Sequence, residues 1–331
     1  MVTRRRAVAG LGASILAPNL LPVRPGGQGA IISLSTVLYT GYRDMHPSLE
    51  EVMKRASKAG FRCIEASAWN MLADWPIKEL AEKAKAAGLS IPSIHCMHHY
   101  DLDTRGLDFQ GRPIGSRSRE EVFAEFHEQF YRALAQAGLE RLIVVEHLPT
   151  REVELALGMA RLSALRQANS QHGFTIVVEN MSARNREEQL RVLRTYLKEE
   201  GIYYCHDINH AAMAGLHPFD FAEFLPKLRN VHVVGNHPLI RFGDGVAPGL
   251  GVVPVEAVLR KMIERGYAGP LTVEIYGFER ELEAVLQMCH KALLRTDQTR
   301  SEKLGTAICG LDWRDVLAIY SRKFLEEVTS Q

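Results

Sequence analysis

Charge of one sign is missing from this chain: 40 Lys+Arg against 39 Asp+Glu leave a formal net charge of +1 over 331 residues. So even a balance argues against a protein whose main task is gripping a phosphate backbone, and no nucleic-acid partner is expected. No apolar run reaches the roughly 18 residues of a membrane span. The five cysteines, Cys63, Cys96, Cys205, Cys289 and Cys309, are odd in number, scattered and free of any C-x-x-C pair. That excludes a disulfide framework and a zinc finger, and leaves buried thiols as the simplest reading. The loop after the first apolar run, Tyr39-Thr40-Gly41-Tyr42, has no G-x-G-x-x-G turn, so a dinucleotide-binding start is missing too. What is present is 46% hydrophobic and 24% charged residues, ordinary for a globular chain with a full core. At about 150 residues per domain, the length allows one large domain or two ordinary ones.

From Ile31 onward, short β-rich runs alternate with longer helical patterns. The runs begin near Ile31, Arg62, Ser90, Arg141, Phe174, Ile202, Asn230 and Leu271. Each is a brief stretch of Ile, Val, Leu or aromatics, as strands buried on both faces require. Between them, Leu49–Ala59, Ile77–Ala87, Glu120–Ala137, Glu152–Ser170 and Arg186–Glu199 carry apolar residues at three- and four-residue spacing, the mark of one-sided helices. Gly60, Gly88, Gly138, Gly173, Gly201 and Gly266 stand where helices stop before the next strand. Eight strand–helix units in about 260 residues predict a single (β/α)8 TIM barrel rather than a doubly wound sheet. The boundaries follow: a barrel over 31–295 and a C-terminal helical extension over 296–331, with a helix at Trp313–Val328 packing outside the barrel. The long polar stretch Met97–Ser118 is expected to cover the mouth.

The first 30 residues read differently. Thr3-Arg4-Arg5-Arg6 precedes a mildly apolar stretch, Ala7–Ala17, then Pro18, Pro22, Pro25 and Gly26-Gly27. A basic start, a short apolar region and a Pro/Gly-rich exit read as an export signal. The Arg pair resembles a twin-arginine signal, which implies a protein exported already folded to the periplasm or cell envelope. The alternative is a frayed tail or a misplaced start, with a cytoplasmic protein.

In a barrel, chemistry sits where the strands stop. Strand five closes on Val178-Glu179-Asn180, and strand six on Cys205-His206-Asp207, with His210 three residues on. Strand seven supplies His232 and strand eight Glu274. Four successive strands thus deliver Glu, Asp, His and Glu at matching depth. Carboxylates there are costly unless paired or bound to a cation, and this set suits one divalent metal ion of the Mn, Mg, Co or Zn range. His95 is expected to line the pocket. Glu65 and the pair Glu146-His147 point toward the mouth, to meet substrate hydroxyls or to orient ligands. His98 and His99, beside Tyr100 and Asp101, are open between contact with the substrate or a second metal and a solvated loop, and Trp69 and Trp75 between an apolar wall for a ring and helix packing.

The succession Val178-Glu179-Asn180, Asp207-Ile208-Asn209-His210-Ala211-Ala212-Met213-Ala214-Gly215, Asn230-Val231-His232-Val233 and Gly269-Pro270-Leu271-Thr272-Val273-Glu274 resembles the xylose-isomerase-like sugar isomerase/epimerase superfamily. The stretch Arg241–Gly251 and the helix pattern Val255–Tyr267 fit the same likeness, which runs from about Ile31 to Leu294. The resemblance implies that Glu179, Asp207, His232 and Glu274 ligate the metal. It also implies that His210 and Arg241 contact substrate oxygens, that the partner is a small carbohydrate, and that homo-oligomers are common. Two departures put the usual substrates in doubt. Val233-Val234-Gly235-Asn236 lacks the acidic residue often found after the strand-seven His, and Pro248-Gly249-Leu250-Gly251 replaces a Pro-Gly-Glu-Gly turn.

The expected activity is a metal-dependent isomerase or epimerase of a ketose, keto-sugar or related polyol. Glu179 and Glu274, three strands apart, would serve as acid and base around a metal-stabilised enediolate. A dehydratase or lyase on an inosose or 3-keto-sugar is the runner-up, and a non-catalytic sugar-binding barrel belongs to a different class. A trinuclear-zinc apurinic endonuclease needs a D-x-H pair after the strand-seven His. The stretch His237–Gly251 offers Asp244 but no such pair. No phosphate loop is evident, which favours an unphosphorylated substrate.

Overall fold

The computed structural model describes residues 30–40, 48–67, 76–96, 101–108, 112–181, 185–215, 220–236, 246–249, 251–275 and 312–330. Eight parallel strands close into a barrel in chain order: β1 Ile31–Ser35, β2 Cys63–Ser67, β3 Ser90–Cys96, β4 Ile143–Glu146, β5 Thr175–Glu179, β6 Ile202–Asp207, β7 Leu228–Val233 and β8 Pro270–Val273. Every neighbouring pair is parallel, and β8 returns to β1 through Ile31↔Pro270 to Leu34↔Val273. This is a TIM barrel, with strands beginning within two residues of the positions read from the apolar runs.

Several helices start at a side-chain cap. After the single turn α1 Val37–Thr40, the helix α2 Leu49–Lys58 is capped by Ser48, whose Oγ accepts from the Glu51 amide at 3.2 Å. After α3 Ile77–Ala86, the helix α4 Arg119–Gln136 opens on a full capping box between Ser118 and Glu121. Each such cap satisfies amides that have no partner inside the helix, and is worth about 1 kcal/mol. The series continues with α5 Leu155–Asn169, α6 Arg186–Tyr196, α7 Ile208–Met213, α8 Val255–Glu264 and α9 Trp313–Thr329. Asn185 caps α6 and Asp312 caps α9. Gly60 ends the α2 turn at φ 90°, a conformation that a side chain would strain.

Strand alternation sorts the core into two. Val144, Ile176, Val178 and Tyr204 face outward into the main core beneath the helices. Ile143, Val145, Val177 and Cys205 form a small separate cluster inside the barrel. The next inward residue on each of these strands lies at the mouth, so the parity of the core fixes which side chains can reach the site. Helix α9 packs outside the strands as expected, and it does so in a particular slot. It touches β1, β8, α2 and α8, and so fills the slot between α2 and α8. Arg55 of α2 secures it through Asp312 at 3.0 Å and Asp315 at 3.0 Å. After β3, the loop is tied down by Arg161 of α5. Its guanidinium, 1% exposed, grips both Asp103 oxygens at 2.7 and 2.5 Å. Among the described residues, no helix is long and apolar enough to cross a membrane. Residues 1–29, Trp69, Trp75, His98, His99, Tyr100, Arg241 and all of 276–311, with Cys289 and Cys309, lie outside the described residues. The side chain of Asp101 does too.

Candidate metal centre

The strand-end motifs have local structural reasons. Asn180, directly after Glu179, continues the β5–β6 pairing with its side chain. Its amide donates to the Asp207 carbonyl at 2.8 Å, while its Oδ1 accepts from the Asp207 amide at 2.8 Å and from the Tyr204 hydroxyl at 2.9 Å. That clamp sets the depth of Asp207 relative to Glu179. Asp207 in turn caps α7, its Oδ1 accepting from the His210 amide at 2.5 Å. One turn of helix therefore brings His210 back over the mouth, where its Nδ1 lies 2.9 Å from Glu179 Oε1.

His232 stands at the centre. Its Nδ1 is 2.6 Å from Glu274 Oε2, 3.2 Å from Glu179 Oε2 and 4.0 Å from Asp207 Oδ2. The structure thus brings Glu179, Asp207, His232 and Glu274 together, one donor atom from each lying within 4.8 Å of the others. All four are buried, at 2% exposure or less. His95 sits beside them: its Nδ1 donates to Glu274 Oε1 at 3.0 Å, and its Nε2 lies 3.2 Å from Glu179 Oε2. His147 completes this side, with Nε2 2.7 Å from His95 Nε2 and 3.0 Å from Glu179 Oε2. Of the pair Glu146-His147, only His147 faces the mouth. Glu146 turns outward toward His127 and Tyr131 of α4. Parity tells them apart, because Val145 lines the barrel interior and residues two apart share a face.

Glu65 lies below His232. Its Oε2 accepts from the Ser93 hydroxyl at 2.7 Å and the Asn230 amide at 2.9 Å, and its Oε1 is 3.1 Å from His232 Nε2. It is fully buried, and it faces the ring edge away from the three carboxylates. Such a partner fixes which imidazole nitrogen is free to bind a cation.

The electrostatics are those of a crowded site. Burial opposes ionisation of Glu179, but His232 and His147 outweigh it and hold the carboxyl well below the usual range. Burial likewise opposes ionisation of Glu274, and His232 and His95 again reverse the effect. Asp207 goes the other way: burial, with Glu179 and Glu274 nearby, lifts it to about 7 against the pull of His210. Burial works against a charge on His232, yet Cys205 and the carboxylates of Glu274, Glu65 and Glu179 raise it well above the ordinary imidazole value. His147 is pushed down by burial and stands neutral.

The residues fit a divalent cation. The buried atoms His232 Nδ1 and Glu179 Oε1 lie close to their neighbours yet make no hydrogen bond of acceptable geometry. A buried polar atom left so costs about 1–3 kcal/mol, which contact with a cation would recover. Three carboxylates and one imidazole are the hard-to-borderline donors that Mn, Mg, Co or Zn accept. His95, His147 and Glu179 form a second, overlapping donor set in the same mouth.

Comparison with solved structures returns the same architecture. An L-ribulose 3-epimerase superposes with a TM-score of 0.61 at 18% identity, over 91% of this chain and 95% of that one. A D-allulose 3-epimerase from Methylomonas sp., in complex with D-allulose, gives 0.61 at 14% identity, over 91% and 98%. A sugar phosphate isomerase/epimerase from Parabacteroides distasonis gives 0.55 at 15% identity, over 80% and 98%. At these identities the likeness is one of fold. No curated protein sequence matches the chain. The sequence profile of the xylose isomerase-like TIM barrels matches residues 53–292. With well over half its length inside that match, the chain belongs to the xylose isomerase-like TIM barrel family.

Proposed function

We propose that this barrel is a divalent-metal-dependent isomerase or epimerase of a ketose, keto-sugar or related polyol. The pair Glu179 and Glu274 carries the reading: two buried carboxylates, held ionised, on strands three places apart and both against His232. Glu179, Asp207, His232 and Glu274 would hold the cation. When bound, it supplies the positive charge that offsets negative charge growing on two adjacent substrate oxygens.

The chain's own groups do the proton work. One glutamate removes a proton from the hydroxyl-bearing carbon next to the carbonyl, and the other returns a proton to the opposite face if an epimer forms. His95 donates to Glu274 and so fixes the direction of its free lone pairs, while His147 lies 3.0 Å from Glu179 Oε2 and His210 2.9 Å from its Oε1. His210, 13% exposed at its side chain, is the most open of these groups and is assigned to a substrate oxygen, with Arg241. His95 and Glu65, by this reading, shape the pocket wall and floor. The names of the L-ribulose and D-allulose 3-epimerases favour a free ketose. The export signal over residues 1–30, the barrel over 31–295, the extension over 296–331, a periplasmic or envelope location and a homo-oligomeric assembly belong to the same proposal.

Glu179→Gln or Glu274→Gln should abolish solvent deuterium incorporation at the reacting carbon of a keto-sugar supplied with Mn, with the circular dichroism of the fold retained. Full exchange in both variants overturns the assignment.

A further inference from the structure

Behind the barrel wall, the same two strand ends build a second buried cluster. Where His95 and His147 point inward, their neighbours Cys96 and Glu146 point outward under α4 and meet His127 and Tyr131 there. Exposure is 5% at Cys96, 2% at Glu146 and 0% at His127 and Tyr131. His127 Nδ1 lies 2.8 Å from the carbonyl oxygen of Phe123, one turn back along the helix. A carbonyl only accepts, so Nδ1 carries the proton. The other nitrogen, Nε2, faces Cys96 Sγ at 3.7 Å and the Glu146 carboxylate. It is 3.2 Å from Oε1 and 3.2 Å from Oε2, so the carboxylate presents both oxygens to it equally. The Tyr131 hydroxyl donates to Oε1 at 3.2 Å.

Spacing separates two accounts of this cluster. A charge-assisted N–H···O contact closes to about 2.7–2.9 Å on one oxygen, and a phenol on a carboxylate to about 2.5–2.7 Å. Here both contacts are 3.2 Å and neither oxygen is preferred by the ring. A tetrahedral cation with bonds of about 2.3 Å to sulfur, 2.05 Å to nitrogen and 2.0 Å to oxygen would hold S and N about 3.6 Å apart and N and O about 3.3 Å. The observed 3.7 and 3.2 Å match that second pattern. The orientation matches as well. Metal-binding histidines give their other N–H to a backbone carbonyl or carboxylate, and ligating carboxylates are themselves hydrogen-bonded. His127 has Phe123 in that role, and Glu146 has Tyr131.

We propose that Cys96, His127 and Glu146 bind a zinc-class divalent cation, forming a structural site in the barrel wall separate from the mouth. A thiolate, an imidazole and a carboxylate select a borderline-soft cation over Mg. Every ligand is buried, so the site is closed to substrate. Its effect is mechanical: it pins α4 to the ends of β3 and β4, one residue from His95 and His147. Ligation takes the Cys96 proton, so binding releases a proton to solvent.

The full chain, stripped of metal and reloaded with Co²⁺, tests this. Cobalt held by a thiolate gives a sulfur-to-metal charge-transfer band in the near ultraviolet. Cys96→Ser should lose that band and one equivalent of cobalt. Cys205→Ser, which removes the thiol beside Glu179 and His232, should keep both. Cobalt bound with no sulfur band, or a band that vanishes in Cys205→Ser and survives Cys96→Ser, overturns the wall site and leaves the mouth reading intact. If Cys96→Ser does not fold, cobalt-edge X-ray absorption on Cys205→Ser decides. A sulfur neighbour supports the proposal, and a shell of nitrogen and oxygen alone overturns it.

Discussion

The mouth and the wall of this barrel draw on adjacent residues of the same strands, yet they treat polar groups in opposite ways. In the mouth, Glu179 and Glu274 are driven down, Asp207 is lifted to about 7, and His232 is driven up. Four groups with opposed shifts share one small volume, and buried atoms on His232 and Glu179 lack good hydrogen bonds. In the wall, Cys96, His127, Glu146 and Tyr131 face one another across 3.2–3.7 Å, and His127 is braced by its own helix. A one-residue step along β4, from Glu146 to His147, crosses from one regime to the other. Strand alternation thus divides the labour residue by residue: inward positions are poised for chemistry, and outward ones hold the scaffold.

The largest expected effect separates the two by activity. Glu179→Gln should cost about 10³-fold in turnover, within the range for a lost general acid–base, while cooperative urea unfolding is retained. Steady-state kinetics beside urea titration checks both halves. Activity kept by Glu179→Gln would erase the distinction. Next in size is the converse change, Glu146→Ala, which leaves His127 and Tyr131 facing an empty carboxylate position. Breaking a buried pair of this kind costs about 3–5 kcal/mol, read as a lower urea midpoint. A loss under about 1 kcal/mol would show that the wall cluster does not carry the scaffold.

The mouth was legible because its four ligand-type residues close four consecutive apolar runs, so counting strands was enough to bring Glu179, Asp207, His232 and Glu274 together. Asn180 and Asp207 carried a further signal, since one spans two strands and the other caps a helix. The wall was not legible. Cys96 and His127 are 31 residues apart, on a strand and on a helix, and each alone reads as an ordinary buried residue. Only the seating of α4 on β3 and β4, a packing result, unites them. Glu146 is outward because Val145 faces the barrel interior, a parity that the uniformly apolar run Ile143-Val144-Val145 does not reveal. Glu65 is a matter of depth. Its strand shares a register shift with β3 between Cys63 and Glu65, and it comes to rest beneath His232, hydrogen-bonded to Ser93 and Asn230.

That depth gives Glu65 a smaller and different expected effect. Glu65→Gln keeps the shape but weakens the hold on His232 Nε2, so Nδ1 is no longer fixed as the metal-facing atom. Mouth affinity for Mn should fall by about 10–100-fold, the usual scale for a lost ligand-orienting partner. Calorimetric titration of the stripped protein checks it, and unaltered affinity would make Glu65 a bystander of the floor.

The last prediction is a pH dependence, and its sign follows from the mouth alone. In the metal-free fold, Asp207 keeps its proton up to about 7, while in the unfolded chain it ionises near 4. Between those values the folded state binds more protons, so this contribution to stability falls as pH rises. His232 and His95, both raised against the opposing effect of burial, act in the same direction, losing their contribution as pH climbs through their folded values. Glu179 and Glu274, both lowered, contribute fully above their unfolded value near 4.3 and change nothing between pH 5 and 8. A cation displaces the Asp207 and His232 protons, so it binds more tightly as pH rises, by about tenfold per unit for each proton released, or ~1.4 kcal/mol. The gap in Tm between Mn-loaded and stripped protein should therefore widen from pH 5.5 to 8. Measuring it in the Cys96→Ser background confines the readout to the mouth. A gap independent of pH there would mean that the crowded protons of the mouth are not what the cation replaces.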